Sequence, residues 1–569
     1  MLKKAALHLA KWSMFMGLLI FLKCSTAQKA DLVIYNGNIY TMNEAVPTAG
    51  FVAVKDGKIV QVGNADNAAK WAKNAANTLD LQGRTMTPGF IEGHGHFVSL
   101  GRSKMELDLN GAKSYEEIVA KVAAAVKKAK PGEWLQGRGW HQSKWEKMPK
   151  KMVRGFQTHD ALSAVSPDNP VFLRHASGHA GIANAKAMEI AGITAKSEIT
   201  GGEIIRDSRG NPTGVFIDNA MDLIGEQIPK TSPEMIRKAV DFATAECLTN
   251  GITTFHDAGA SSAEIAVYKE YLNAGKLKTR LYVMLAGWED GLPESWFQNG
   301  TEVGLGDHFL TIRSIKLSSD GALGSRSAWL LEPYSDRPGH YGSATISMET
   351  VYQTAKNALR HGFQLCTHAI GDRANREVLD QYEKAFAEFP EQAKNARFRI
   401  EHAQHLSARD IPRFGKLGVI ASMQTIHMAS DRPWAIDRLG KARIEEGAYV
   451  WQKLLQSGAI IMNGTDTPVE PINPIAGFYA AVTRRTLAGN PPGGYEPSQK
   501  MTRAQALRSY TLNAAYGGFE EDLKGSIETG KLADFTVFSQ DIMTVPEDQL
   551  LETNVDFTIV GGKIVYRRR

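Results

Sequence analysis

The stretch TPGFIEGHGH at residues 87–96 decides how the chain is read. An apolar run through Phe90 and Ile91 leads into His94-Gly95-His96. Alternate residues of a β-strand point to the same face, so both imidazoles can reach one ion, and Gly95 lets the backbone pass closely. An HxH pair alone is weak support for a metal. It gains weight because four other apolar runs also end in candidate ligands. SIKLSSDG carries Lys316, FQLCTHAIGD carries His368, FRIEHAQ carries His402, and AIIMNGTDTP carries Asp466. Imidazoles and a carboxylate suit Zn²⁺ or a similar divalent ion. Each residue also has an ordinary structural use: a strand-end histidine can be a satisfied core group, Asp466 can cap a turn, and Lys316 can snorkel or pair with Asp320. Those uses would all have to coincide at five separate strand ends.

Working outward, helix-period segments alternate with strand-like runs from about residue 236. SPEMIRKAVDFATAECLTNG precedes GITTFHDAG, and LYVMLAG, SIKLSSDG, FQLCTHAIGD, FRIEHAQ, GVIASMQ and AIIMNGTDTP follow. With the stretch at 87–96 these make eight strands. Repeated βα units imply an α/β fold with parallel strands, and eight of them a closed (β/α)8 TIM-type barrel whose chemistry lies at the C-terminal strand ends. Residues 97–235 are too long for one connection and read as a subdomain inserted after the first strand of a barrel spanning 88–516. Both chain ends, 28–87 and 517–569, carry short β-rich runs broken by Asn-Gly, Asp-Gly and Gly-Gly. That shared pattern predicts one small antiparallel β domain, a β-sandwich built from both termini.

Composition narrows the function classes. The chain has 569 residues, 43% hydrophobic and 22% charged, which excludes disordered, collagen-like and polytopic membrane proteins. The net charge of +5 resides largely in the first 27 residues, which hold Lys3, Lys4, Lys11 and Lys23 and no acid. With the apolar run 12–22 and the small-residue exit Ser25-Thr26-Ala27, residues 1–27 read as a secretory signal peptide of a secreted or periplasmic protein. The run is too short to span a bilayer, which takes about 20 residues. Without it the charge is +1. No later segment concentrates Lys and Arg with aromatics, so neither nucleic acid nor a stable membrane span is expected. Cys247 and Cys366 lie in apolar segments and read as buried free thiols.

TPGFIEGHGH, Lys316, LCTHAIGD, RIEHAQ and NGTDTP together resemble the amidohydrolase superfamily. GWHQSKW, GHAGIAN, GEIIRDSRGNPTGVF, IKLSSDGALGSRSAWLLEPY and NGTDTPVEPINP resemble more narrowly its amidohydrolase-3, YtcJ-like branch, which includes N-substituted formamide deformylase. The resemblance runs from about residue 31 to the C-terminus. It implies a metal-dependent hydrolase that cleaves a non-peptide carbon–nitrogen bond, in an N-formyl, N-acyl or cyclic amide, by metal-activated hydroxide. It assigns His94, His96 and Asp466 to the more buried metal and His368 and His402 to the more exposed one. Lys316, N6-carboxylated, would bridge two zinc ions; a single-metal site with unmodified lysine stays open. Asp466 would shuttle the proton.

Around the metals, His179 and Asn184 could orient the substrate, Arg326 could bind a carboxylate, and Asp320 could orient a ligand; each could equally hold its own loop. Trp140, Trp329, Trp434 and Tyr334 supply aromatic surface. The same barrel also serves isomerases and lyases, and a non-catalytic secreted binding protein is a third class. The expected partner is a small-molecule amide, with a homodimer open.

Overall fold

A computed structural model describes residues 29–229 and 231–569. The proposed leader at 1–27 lies outside the described residues. Eight parallel strands form the centre: β1 (Phe90–Gly95), β2 (Ile252–Ala260), β3 (Arg280–Ala286), β4 (Leu310–Ser318), β5 (Gln364–Ala369), β6 (Arg399–His402), β7 (Ile420–Met423) and β8 (Ile461–Asn463). They are paired in sequential order from β1 to β8, and the eight segments marked in the sequence are these eight strands.

Closure between β8 and β1 depends on missing side chains. A Cβ at Gly93 would lie 2.4 Å from the Asn463 carbonyl oxygen, and one at Gly464 2.4 Å from Glu92 Oε1. Beyond β8 the backbone still pairs with β1: Asp466 N–H donates to the His94 carbonyl, and His96 N–H to that of Thr467, both at 2.8 Å. These two bonds bring a residue from the far end of the barrel beside the HxH pair.

Amphipathic helices ring the barrel and bury their apolar stripes against the outward faces of the strands. The helix Met348–His361, for example, buries Val351, Tyr352, Ala355, Ala358 and Leu359 and ends at Gly362 with φ +72. Cys247 and Cys366 are buried free thiols, as their apolar surroundings predict.

Strands from both chain ends join one hydrogen-bonded sheet, from Lys58–Gly63 at one edge to Lys563–Arg567 at the other. It curls on itself, so that Val52 and Val54 share a core with Phe535, Val537 and Ile559. The sheet is mixed, which corrects the antiparallel expectation: Leu32–Tyr40 pairs in parallel with both Asn77–Asp80 and Thr85–Pro88. Helical and looped returns between these strands carry the chain back to the same end. A buried ion pair fastens the sheet to the barrel, with Arg280 Nε 2.7 Å from Asp534 Oδ2.

Between β1 and β2 the chain builds a separate six-stranded sheet with its own core, including Leu135, Trp140, Leu173 and Val215. The helices Phe97–Ser103 and Pro233–Thr249 flank this insertion and belong to the barrel core. They approach so closely at Gly101 that a Cβ there would meet the Ala239 carbonyl oxygen at 1.8 Å. The insertion therefore stands on a fixed base at the C-terminal mouth of the barrel.

Candidate active site

His94, His96 and Asp466 converge, their ligand atoms all within 4.8 Å of one another. Asp466 Oδ1 lies 3.5 Å from His94 Nε2 and 3.1 Å from His96 Nε2. The His402 ring centroid is 4.8 Å from that of His94 and 4.5 Å from that of His368, so the other two imidazoles extend the same cluster. Lys316 is 4% exposed, and the charges acting on it include the carboxylates of Glu401 and Asp466. Burial pushes its ammonium down from the usual lysine range. Asp466 and His402 have φ values of +57 and +75. Non-glycine residues seldom adopt that region, and such strain gathers at functional sites.

Three of the four imidazoles have one nitrogen occupied by a supporting side chain. His94 Nδ1 is bonded to Glu401 Oε2 at 2.5 Å, His402 Nδ1 to Gln424 Oε1 at 2.7 Å, and His368 Nε2 lies 3.3 Å from Asp320 Oδ1. The opposite nitrogens are left for a ligand. His94 Nε2 is buried without a hydrogen-bond partner. A buried orphan nitrogen beside a buried carboxylate is costly unless a cation satisfies both, so the donor set fits a divalent metal.

The electrostatics agree. Burial pushes the Asp466 carboxyl up, but His96, His402 and His94 outweigh it and hold it well below the usual range. Burial likewise pushes His94 down to about 4, so its imidazole is neutral and able to ligate near neutral pH. Behind these groups, Glu92 accepts from Thr465 N at 2.6 Å, and Arg399 Nε bonds Glu401 Oε1 at 2.6 Å.

A narrow, concave cavity opens over the cluster. His368, His402 and Asp466 form its floor, and Ala176, Ser177 and His179 reach in from the insertion. His179 bonds Asp218 Oδ1 through Nδ1 at 2.8 Å, which leaves Nε2 for the cavity.

The other three expected substrate contacts are corrected. Asn184 is wholly buried: its Oδ1 accepts from Val171 N and Ala187 N, and its Nδ2 donates to Asn169 O. Asp320 is also wholly buried and accepts from the backbone amides of Trp329, Ile370 and Gly371. It supports His368 instead of pairing with Lys316. Arg326 is turned to Asp336, with contacts of 3.1 and 2.8 Å. In all three cases other polar groups of the protein already engage the side chain, although Arg326 Nη1 is left without a partner.

Of the four aromatics, Trp434 lines the cavity. Trp140 donates to Leu173 O and Tyr334 to Ala328 O, both within the core, and Trp329 stacks under Arg373. Glu401, Gln424, His141, His427 and Asp431 were missed. Glu92 lies at the alternating position before His94 and is legible on that ground, whereas Glu401 stands beside His402 in RIEHAQ and alternation would place it on the opposite face.

A parallel eight-stranded barrel with histidine and aspartate ligands converging at its C-terminal strand ends defines a metal-dependent hydrolase. The chain belongs to the amidohydrolase family, whose model matches residues 77–566, and within it to the amidohydrolase-3 branch. It is 32% identical over 555 residues to Protein LONG AFTER FAR-RED 3 of Arabidopsis thaliana, covering 94% of this chain and 92% of that one. Identity to N-substituted formamide deformylase of Arthrobacter pascens is 27% over 563 residues, covering 95% of this chain and 99% of that one. An uncharacterized metal-dependent hydrolase from Pyrococcus horikoshii superposes with a TM-score of 0.72 at 25% identity, covering 91% of this chain and 99% of that one.

Proposed function

We propose that this hydrolase cleaves a carbon–nitrogen bond of a non-peptide amide, with N-formyl, N-acyl and cyclic amides as the substrate class. The observation that supports it most is the unpartnered His94 Nε2 facing Asp466 in a cavity floored by two further histidines. The formamide deformylase likeness favours amide chemistry over isomerisation on the same barrel.

In this reading the metal is zinc. His94, His96 and Asp466 would hold one ion and His368 and His402 a second, with Lys316, if N6-carboxylated, available to both. A buried lysine whose ammonium is disfavoured is suited to that modification, since the neutral amine is the form that takes up CO₂. Metal bound there supplies Lewis acidity and lowers the pKa of water from about 15.7 toward about 7.

The chain's own residues do the rest. Asp466 accepts the proton of the attacking water and returns it to the departing nitrogen. His179 donates Nδ1–H to Asp218 and turns Nε2 toward the substrate as an acceptor for a substrate N–H. The insertion covers the mouth and limits the access of bulk water.

The test is a screen of N-formyl, N-acyl and cyclic amides with zinc-loaded and metal-stripped protein. Amine release that requires metal supports the reading; release from none of the three classes by zinc-loaded protein overturns it. We also read residues 1–27 as an export leader of a secreted or periplasmic enzyme. Among the described residues no helix is long and apolar enough to cross a membrane. N-terminal sequencing of the exported protein should begin after residue 27, and an intact N-terminus would refute this.

A further inference from the structure

One wall of the cavity has no part in the chemistry above. The helix Thr425–Gly447 presents His427, Asp431 and Trp434 to it, spaced four and three residues apart and so on one face. Glu470, from the loop after β8, and His141 and Lys144, from the insertion, complete it.

The charges on this wall do not balance. Lys144 Nζ lies 3.8 Å from Glu470 Oε1, so those two largely cancel. Arg432, next to Asp431, is turned away to Glu496 at 2.7 Å. Asp431 is left with neutral donors at long range: Gln404 Nε2 and Ser430 Oγ at 3.3 Å and Tyr449 Oη at 3.5 Å. Among the described residues it makes no ion pair. A partly buried carboxylate held only by weak neutral donors is short of a cation.

Three further groups point to a ligand here. His427 Nε2, His141 Nδ1 and Trp434 Nε1 are buried and have no hydrogen-bond partner, in side chains 6%, 6% and 8% exposed. The His427 ring stacks 6.1 Å from that of His402, so this wall adjoins the metal floor. An ammonium group answers Asp431 and the imidazoles: Asp431 supplies the countercharge, an imidazole nitrogen accepts an N–H, and the indole ring attracts the cation, while Trp434 Nε1–H, itself a donor, is left for an acceptor elsewhere on the ligand.

We propose that Asp431, with His427 and Trp434, forms a subsite for a protonated amine, so that the preferred substrates are small amides carrying a cationic nitrogen away from the scissile bond. This rests on the amide-hydrolase reading for the word substrate, though the subsite itself does not.

The experiment compares three N-formyl amines of equal chain length that end in an ammonium, a methyl or a carboxylate group, using zinc-loaded enzyme. The expected kcat/KM favours the ammonium compound over the methyl one by roughly tenfold to a hundredfold, the range of a charge-assisted hydrogen bond, and places the carboxylate last. Asp431→Asn should bring the ammonium-to-methyl ratio close to one, and Asp431→Glu should keep part of it. A merely structural role would lower all three rates together and leave the ratio unmoved. Equal rates in the wild type, a preference for the carboxylate, or an unchanged ratio in Asp431→Asn overturns the proposal.

Calorimetric binding of the same three compounds to zinc-loaded Asp466→Asn separates the two readings. Tighter binding of the ammonium compound without cleavage by the wild type keeps the subsite and rejects the amide chemistry. Cleavage of all three with equal binding does the reverse.

Discussion

His94 Nδ1 bonds Glu401 Oε2 at 2.5 Å, with both side chains fully buried. The contact fixes which imidazole nitrogen faces the ligand cluster. Burial pushes the Glu401 carboxyl up, but Arg399 and His94 outweigh it and hold it well below the usual range, so it is charged. A carboxylate behind a ligating imidazole raises the basicity of the ligand and fixes its orientation. Glu401→Gln should therefore weaken zinc binding by about 10- to 100-fold in chelator competition. Unchanged affinity would mean that the pair serves only the fold.

In the proposed reaction Asp466 both contributes to the ligand cluster and accepts the proton of the attacking water. Asp466→Asn keeps one oxygen for the metal and removes the proton acceptor. Turnover should fall by about 10²- to 10⁴-fold while elemental analysis still finds zinc. Near-normal turnover in a zinc-loaded variant would contradict the proton-shuttle role.

Asn184 and Arg326 make the opposite case. Asn184→Ala removes a helix N-cap and strands the backbone groups it now serves, at a cost of about 1–3 kcal/mol. Thermal unfolding should shift downward, with kcat/KM unchanged in the folded protein. A loss of activity without a loss of stability would restore Asn184 to the substrate site.

The barrel and its ligands were legible because strand ends repeat a simple grammar: an apolar run, then a histidine, lysine or aspartate. The supporting layer was harder to see. Alternation along β6 would send Glu401 and His402 to opposite faces, and the positive φ of His402 at the strand end breaks that rule. Asn184, Asp320 and Arg326 left two uses open, because a polar residue in a glycine-rich motif serves a fold contact as readily as a ligand. The wall formed by His427, Asp431 and Trp434 had no marker, since on a helix its spacing looks like any other polar face.

Acid should destabilise the metal-free protein. Burial pushes His94 down to about 4 and His175 and His405 to about 3, and it lowers His141, His256, His368 and His402 well below the usual range. These imidazoles protonate near 6.5 once unfolded, so below that pH the unfolded chain binds more protons and stability falls as pH falls. His94 alone accounts for about 2 kcal/mol at pH 5. Glu92, Glu264 and Asp320, pushed up by burial to about 8, 7 and 7, act in the opposite direction, as do Asp222, Asp257, Asp372 and Asp431, which burial also raises. With His159, His308 and His340 the ten lowered imidazoles outnumber these seven acids. The melting temperature should drop between about pH 6.5 and pH 5; a level or rising profile would refute this assignment of neutral imidazoles.

The proposed reaction adds water across a carbon–nitrogen bond. Zinc-loaded enzyme acting on an accepted amide in oxygen-18 water tests it most directly, with the products weighed by mass spectrometry. Hydrolysis should give a free amine and a carboxylate carrying one solvent oxygen. A product of unchanged mass, or a carboxylate without label, would contradict it.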